Sequence, residues 1–392
     1  MDKPVDENII AWLFARTRSG AARGTERTRE LLEKLENPQD HFPAIHVIGT
    51  NGKGSVCAML EAGLRSTGMK VGRFTSPHLL EFSERILVNG NQIPTSEIEA
   101  FVHWAQRLQL EAAFFDFVTA MAFKYFANQR VDLAVVEAGV GGLHDATNNL
   151  ERIKLTIITN IDFDHVEALG GTLERITLEK AGAIRTGIPV VTAARGVPLE
   201  IIREISAQRH APLHVLDLEN PLFSLPHAPA LRGSHQLENA ALVAASLRIL
   251  EQPESSINAA MQATWAGRFE IFDFENRQYI LDGAHNPAGA RALSENLEPG
   301  FALIFGVMAR KNVSAVLEPL RLKASSVNFV SPGELGADPF ALALEFDGQA
   351  FASLEIALKT ITASKIVIAG SLYLVGRARA LLIEAGARLR LA

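Results

Sequence analysis

The chain is 392 residues long, 48% hydrophobic and 21% charged, and its 38 basic and 44 acidic side chains leave a net charge of −6. That length is enough for two or three domains with cores of their own, and the acidic balance argues against a nucleic-acid or anionic-membrane partner. One cysteine, Cys57, excludes an internal disulfide, and no apolar run reaches membrane-spanning length, so a cytoplasmic protein is expected.

In chain order, residues 25–36 read as an amphipathic helix closed by Asn37-Pro38. An apolar strand beginning near Ile45 then runs into Gly49-Thr50-Asn51-Gly52-Lys53-Gly54-Ser55, and a helical stretch from Val56 to Ser66 follows. Strand, glycine-rich turn and helix in that order make a phosphate cradle. Glycines let backbone N–H groups turn towards an anion, the helix N-terminus faces the same point, and Lys53 adds a full charge. The loop is not the strict P-loop. It has no glycine five residues before Gly52, and Gly54 stands where Ser or Thr usually follows the lysine. A loose match of this kind is, in about half of cases, only a strand-to-helix turn with a surface lysine. The flanking strand and helix favour the nucleotide.

Short Val- and Ile-rich runs at 131–137, 155–160 and 188–192 alternate with longer segments, the pattern of a parallel sheet covered on both faces. Residues 217–233, with Pro221, Pro226, Pro229 and Gly233, read as loop or short strands, and an alanine-rich helix follows at 234–250. A break at Trp265-Ala266-Gly267-Arg268 precedes a second alternation, with strands at 279–281, 302–305, 327–330 and 365–368. The expected fold is α/β throughout. A P-loop-containing parallel-sheet domain of ATPase type covers 1–266, and a smaller Rossmann-like α/β domain covers 268–392.

Open α/β sheets bind ligands beyond the carboxyl ends of their strands. Beside the cradle, those ends carry Glu137, ahead of Ala138-Gly139-Val140-Gly141-Gly142, and Asp162-Phe163-Asp164-His165. Glu137 suits Mg²⁺, which takes one or two protein oxygens together with water and phosphate. For His165 taken alone, a capping or core role is favoured by roughly two to one. Three further segments are polar. Thr75-Ser76-Pro77-His78-Leu79 is a turn after a strand. Glu179-Lys180-Ala181-Gly182 sits in a helix, where a solvated charge pair is the ordinary reading. Asp282-Gly283-Ala284-His285-Asn286-Pro287 follows a strand, where Asp-Gly and Asn-Pro favour a turn.

Together these segments resemble the folylpolyglutamate synthase/dihydrofolate synthase family, relatives of the Mur ligases. The resemblance runs nearly end to end. It begins with Phe14-Ala15-Arg16-Thr17-Arg18 and Asn37-Pro38-Gln39, takes in the cradle and the segments above, and adds Asp145-Ala146-Thr147-Asn148 and Leu169-Gly170. It ends with His235-Gln236-Leu237-Glu238-Asn239-Ala240, Gly267-Arg268-Phe269-Glu270 and Gly370-Ser371. Order and spacing carry it, not any one segment.

The resemblance implies an ATP-dependent ligase that phosphorylates a pteroate or folate carboxylate and joins the acyl phosphate to the amine of L-glutamate. It implies nucleotide contacts from Gly49, Thr50, Asn51, Gly52, Lys53, Gly54, Ser55, Asn239, Arg268 and Asp282. Ser76, Glu137 and His165 are then ligands of Mg²⁺, and Lys53, Lys180 and His285 are catalytic, with Lys180 carbamylated. His78, Phe115, Asp145 and Ala146 fall on the folate side, where a Phe face suits a flat ring. Closure of the second domain would complete the site. The implied partners are ATP, L-glutamate, and dihydropteroate or reduced folates, with no nucleic acid and no membrane, and the implied state is a monomer.

The chain departs from the family pattern at Leu143-His144, where the family has Arg-Leu, and at Arg310-Lys311-Asn312, where it has Asp-Lys-Asp. Two other readings compete. A Mur-type ligase acting on a muropeptide would need an extra N-terminal substrate domain, for which the cradle lies too early. A catalytically silent relative is opposed by Lys53, Glu137, His165, Lys180 and His285.

Overall fold

A computed structural model describes residues 5–16, 24–108, 110–164, 166–309 and 312–390. The chain divides into two compact units, Met1–Pro229 with Leu237–Ala263, and Ala230–Gln236 with Thr264–Ala392.

The first unit is built on an eight-stranded sheet. Its strands are β1 (Ala44–Ile48), β2 (Val71–Phe74), β3 (Ile86–Val88), β4 (Asn91–Gln92), β5 (Leu133–Glu137), β6 (Ile153–Ile158), β7 (Val190–Thr192) and β8 (Leu213–Val215). They lie in the order β4-β3-β2-β5-β1-β6-β7-β8. From β2 to β8 every pairing is parallel, whereas β3 and β4 run antiparallel at one edge. The sheet is thus mixed, not wholly parallel as its long apolar runs suggest. The β3–β4 hairpin turns on Asn89-Gly90, both at positive φ (52° and 77°), and its strands are too short to show a period of their own.

Central position explains composition. All five residues of β1 are buried, and so are all five of β5. The helix Phe114–Gln129 packs Phe117, Phe123 and Phe126 into a core that includes Phe42 and Phe74. Phe42 meets Phe123 and Phe126 edge to face, with centroids 5.8 Å apart in each case. A second cluster packs Ala181 and Ile184 with Ile48, Ile158, Val190 and Ile202.

The second unit holds a seven-stranded sheet of β9 (Glu270–Phe274), β10 (Arg277–Leu281), β11 (Phe301–Phe305), β12 (Ala324–Phe329), β13 (Gln349–Ala350), β14 (Lys365–Ala369) and β15 (Arg388–Leu389). The order is β13-β12-β11-β14-β10-β9-β15, parallel as far as β10 and antiparallel beyond it. Phe301, Phe305 and Phe329 anchor its core.

Element ends differ from the sequence reading by a few residues. The helix after the cradle starts at Lys53, because Gly52 in a left-handed conformation caps it. In 217–233 the only regular element among the described residues is a short 3₁₀ turn, Pro221–Phe223. The strands β8, β9 and β15 escape a pattern-based reading because they are short or alternate with charged residues. No helix among the described residues is long and apolar enough to cross a membrane.

Phe126 is fully buried. Phe126→Ala should destabilise the first unit by about 3–5 kcal/mol, read as a lower urea midpoint at unchanged slope.

Candidate active site

The chain leaves β1 through Gly49 and Gly52, at φ of 147° and 85°. A Cβ on Gly52 would also run into the side-chain amide of Asn239. Conformation and space together therefore reserve this position for glycine. Lys53 opens the following helix. Its Nζ donates to the carbonyls of Gly49 (3.2 Å) and Thr50 (3.1 Å) and lies 4.0 Å from Glu137 Oε1. Lys180 arrives from the helix Leu173–Ala181, is 4% exposed, and donates to the same Gly49 carbonyl at 2.6 Å. Two ammonium groups from distant parts of the sequence converge on one backbone oxygen.

Glu179 and Lys180 do not form the solvated pair that their spacing suggests. Lys180 turns inward. The Glu179 carboxylate accepts from the His144 N–H at 3.0 Å and meets His144 Nδ1 at 2.8 Å, while Leu143 N–H donates to the Glu179 carbonyl at 2.7 Å. The Leu143-His144 departure is thereby seated on the helix that carries Lys180. A Cβ at Gly142 would meet the Lys180 carbonyl, which accounts for that glycine.

The segment after β6 closes the cradle from the other side. Asn160 accepts from Thr50 N–H through its carbonyl and from Asn51 N–H through its side chain, both at 2.8 Å. Thr159 Oγ1 donates to the Asn51 carbonyl at 2.6 Å. His165 lies outside the described residues. Glu137, at the end of β5, is 4% exposed, and its Oε2 accepts from Ser76 N–H at 3.0 Å. Ser76 and Glu137 thus meet near Lys53. This small, hard oxygen set fits Mg²⁺ or Mn²⁺ that arrives largely coordinated by phosphate and water. Among the described residues no cluster of three or more His, Cys, Asp or Glu would hold a metal unaided.

The folate-side candidates fall into two groups. His78 belongs to an aromatic cluster with Phe14, Phe82 and Phe114, in which Phe14 and Phe114 stack at 4.9 Å. Arg85 donates to His78 Nδ1 at 2.8 Å, and its guanidinium carbon lies 5.3 Å from the Phe114 ring centre. Burial, with the Arg85 charge behind it, pushes the His78 pKa down to about 3. Phe115 lies against Phe74 (5.7 Å) and so close to Gly139 that a Cβ there would strike its ring.

Asp145 and Ala146 are buried where the 3₁₀ turn Ala146–Asn149 begins. The Asp145 carboxylate accepts from Val140 N–H (2.8 Å), Thr147 N–H (3.0 Å) and Thr147 Oγ1 (2.5 Å). Burial raises its pKa against those bonds. His46, from β1, reaches Thr147 Oγ1 at 2.8 Å. Sequence reasoning passed over Arg85, Phe114 and His46. For His46 there was a signal, since it is the one polar residue in an otherwise aliphatic strand.

In the second unit Asp282 follows β10, accepting from Phe269 N–H (2.9 Å) and Ala284 N–H (2.8 Å). Burial raises its pKa, and the Arg268 charge opposes this. His285 Nδ1 meets the Gly283 carbonyl at 2.8 Å. The turn chemistry of Asn286-Pro287 is also present, with Asn286 capping the helix Pro287–Glu295 through Gly289 N–H. Asn312 likewise caps the helix Val313–Arg321, and Arg310 and Lys311 lie outside the described residues. Of the nucleotide candidates, the first unit brings Asn239 against Gly52, while Arg268 and Asp282 adjoin one another in the second.

Family models match both units. The Mur ligase middle domain matches residues 47–188, and the Mur ligase glutamate ligase domain matches residues 267–375. The dihydrofolate synthase/folylpolyglutamate synthase of Bacillus subtilis is 34% identical over 367 residues, covering 83% of this chain and 85% of that protein. A bifunctional folylpolyglutamate synthase/dihydrofolate synthase solved with Mn, AMPPNP and L-glutamate aligns at TM-score 0.84 and 29% identity, over 98% of this chain and 100% of the other. The Escherichia coli FolC complex with DHPP and ADP aligns at TM-score 0.84 and 26% identity, over 96% and 98%.

The buried histidine at position 46 predicts an acid sensitivity. Burial, and then the Arg185 charge, lowers its folded pKa to about 3 from the ordinary imidazole value of 6.5. The unfolded chain therefore takes up the proton first, and stability is lost as pH falls from that unfolded value towards the folded one. By about pH 5 this amounts to about 2 kcal/mol. In His46→Leu the loss of unfolding free energy between about pH 7 and pH 5, read by urea titration, should be smaller by that amount.

Proposed function

Because the chain belongs to the folylpolyglutamate synthase/dihydrofolate synthase family, an ATP-dependent glutamate ligase family within the Mur ligase superfamily, we propose that it adds L-glutamate both to dihydropteroate and to reduced folates in one site. The observation that carries the reading is the convergence of Lys53 and Lys180 on the Gly49 carbonyl, beside Glu137 and Ser76. Lys53 puts positive charge where a γ-phosphate would sit over the cradle, and Lys180 and Glu137 stand beside it.

A carboxylate is a poor electrophile. In the proposed reaction an oxygen of the pteroate or folate carboxylate attacks the γ-phosphorus of ATP, and the β–γ bridging oxygen leaves with ADP. The amine of glutamate then attacks the acyl carbon, and phosphate leaves as the amide forms. Cradle N–H groups from Gly49 to Ser55 hold the phosphates, and Lys53 offsets charge building on the transferring phosphoryl group. Asn239, Arg268 and Asp282 contact the nucleotide. Ser76 and Glu137, with His165, would hold Mg²⁺, which would supply further charge neutralisation.

Lys180 is carbamylated in the working enzyme, which turns a buried ammonium into a carboxylate. Its burial and its place beside the cradle support this. His285, whose Nδ1 lies 2.8 Å from the Gly283 carbonyl, is a catalytic residue in this reading. The Phe115 face and the cluster of His78 with Phe114 suit a flat pterin and its aryl extension. The enzyme acts as a cytoplasmic monomer, with an ATP-binding domain over 1–266 and a glutamate ligase domain over 268–392.

Purified enzyme should release phosphate with ATP and glutamate when given either dihydropteroate or tetrahydrofolate. Turnover with tetrahydrofolate alone would make it a polyglutamylase only. Lys53→Ala should cut turnover by roughly a thousandfold while the variant stays folded, because one side chain at the first position of a helix supports the fold little. Near-normal turnover in the folded variant would refute the cradle assignment. Crystals grown in bicarbonate should show a branched, lengthened Lys180 side chain, and an unmodified lysine under that condition would overturn the carbamate.

A further inference from the structure

The turn Gly139–Gly142, which leads out of β5 beyond Glu137, is held by side chains that start on the central strand. His46 lies in β1 between Ile45 and Val47 and is fully buried. Its Nε2 is 2.8 Å from Thr147 Oγ1, 101 residues further along the chain. Thr147 Oγ1 is in turn 2.5 Å from Asp145 Oδ1, and Asp145 Oδ2 accepts from Val140 N–H.

Proton counting gives this chain of bonds a direction. A hydroxyl has one proton, and Thr147 directs it to the carboxylate. Its oxygen must then accept from His46, so the imidazole proton sits on Nε2. His46 Nδ1 has no hydrogen-bond partner among the described residues, which agrees with a bare lone pair there. Burial keeps the ring neutral, so it acts as a fixed donor with no titration in the working range. A residue needed only to fill β1 would be aliphatic like its neighbours. A buried imidazole is retained at the expense of its desolvation.

We propose that His46 and Thr147 are positioning residues for the folate-side substrate. They fix the rotamer and the remaining acceptor capacity of the Asp145 carboxylate. Through Val140 they also fix the turn whose Gly139 lies under the Phe115 ring. This rests on the reading of Asp145 and Phe115 as folate-side residues.

The test uses the full chain and steady-state kinetics with dihydropteroate, ATP and glutamate. His46→Leu and Thr147→Val should each raise the KM for dihydropteroate roughly tenfold and leave that for ATP within about twofold. His46→Gln, whose side-chain amide can still donate to Thr147, should recover most of the loss. An unchanged dihydropteroate KM in folded His46→Leu and Thr147→Val would overturn the proposal. So would a parallel rise in both KM values, the mark of a general loosening.

Asp145→Asn separates the two levels. If it leaves the dihydropteroate KM unchanged, the folate-side reading of Asp145 fails. If it raises that KM while the His46 and Thr147 variants do not, only the positioning role fails. Nitrogen NMR of the unmutated protein gives a reading that no folding defect can obscure. A slowly exchanging Nε2–H tautomer of His46 near neutral pH is expected, and an Nδ1–H or doubly protonated ring would refute the chain of donors.

Discussion

Two ammonium groups share the carbonyl of Gly49, and the rest of the candidate site is arranged around that contact. A buried lysine is tolerated only where its charge finds acceptors, and Lys180 finds one in a carbonyl exposed by the turn out of β1. Lys53 uses the same oxygen and has the Glu137 carboxylate 4.0 Å away. With Lys180 unmodified, the two lysines outweigh Glu137 at the cradle, whereas the molecule at large has a net charge of −6. An anion is drawn to a local feature, not to a global field.

That contact depends in turn on the sheet. β1, β5 and β6 are adjacent and parallel, so their carboxyl ends lie side by side. The cradle, Glu137 and the Thr159–Asp162 segment are thus brought together by register alone. Behind them, a helix bearing Phe117, Phe123 and Phe126 holds the strands with aromatic packing too dense to shift easily. The antiparallel hairpin β3–β4 lies at the sheet edge, away from this junction.

Close approach explains the glycines better than flexibility does. Gly52 faces the Asn239 amide, Gly139 the Phe115 ring and Gly142 the Lys180 carbonyl. Each lets a backbone segment come against a residue from a distant part of the chain. The Leu143-His144 departure shows the same economy. No arginine is present there, yet the turn is still pinned to the helix of Lys180 by the Glu179 carboxylate and carbonyl.

The sequence by itself determined the α/β architecture and the family, because both rest on local signals. Apolar runs of strand length, a strand–glycine–lysine–helix order and the spacing of a dozen short segments are all properties of neighbouring residues. It could not decide what Glu179, Lys180, Asp145 or His46 do. Glu179 and Lys180 are adjacent and looked like a surface pair, yet they point to different partners, one to His144 and one to Gly49. Asp145 reads as a folate-side residue, and the fold adds that its carboxylate accepts from Val140 and Thr147. His46 looked like part of a strand and lies at the start of a chain of donors. In each case the deciding partner lies far along the chain or depends on the local fold of a turn. A buried polar group takes its role from whichever donor or acceptor the packing brings within about 3 Å, and only the tertiary structure chooses that partner.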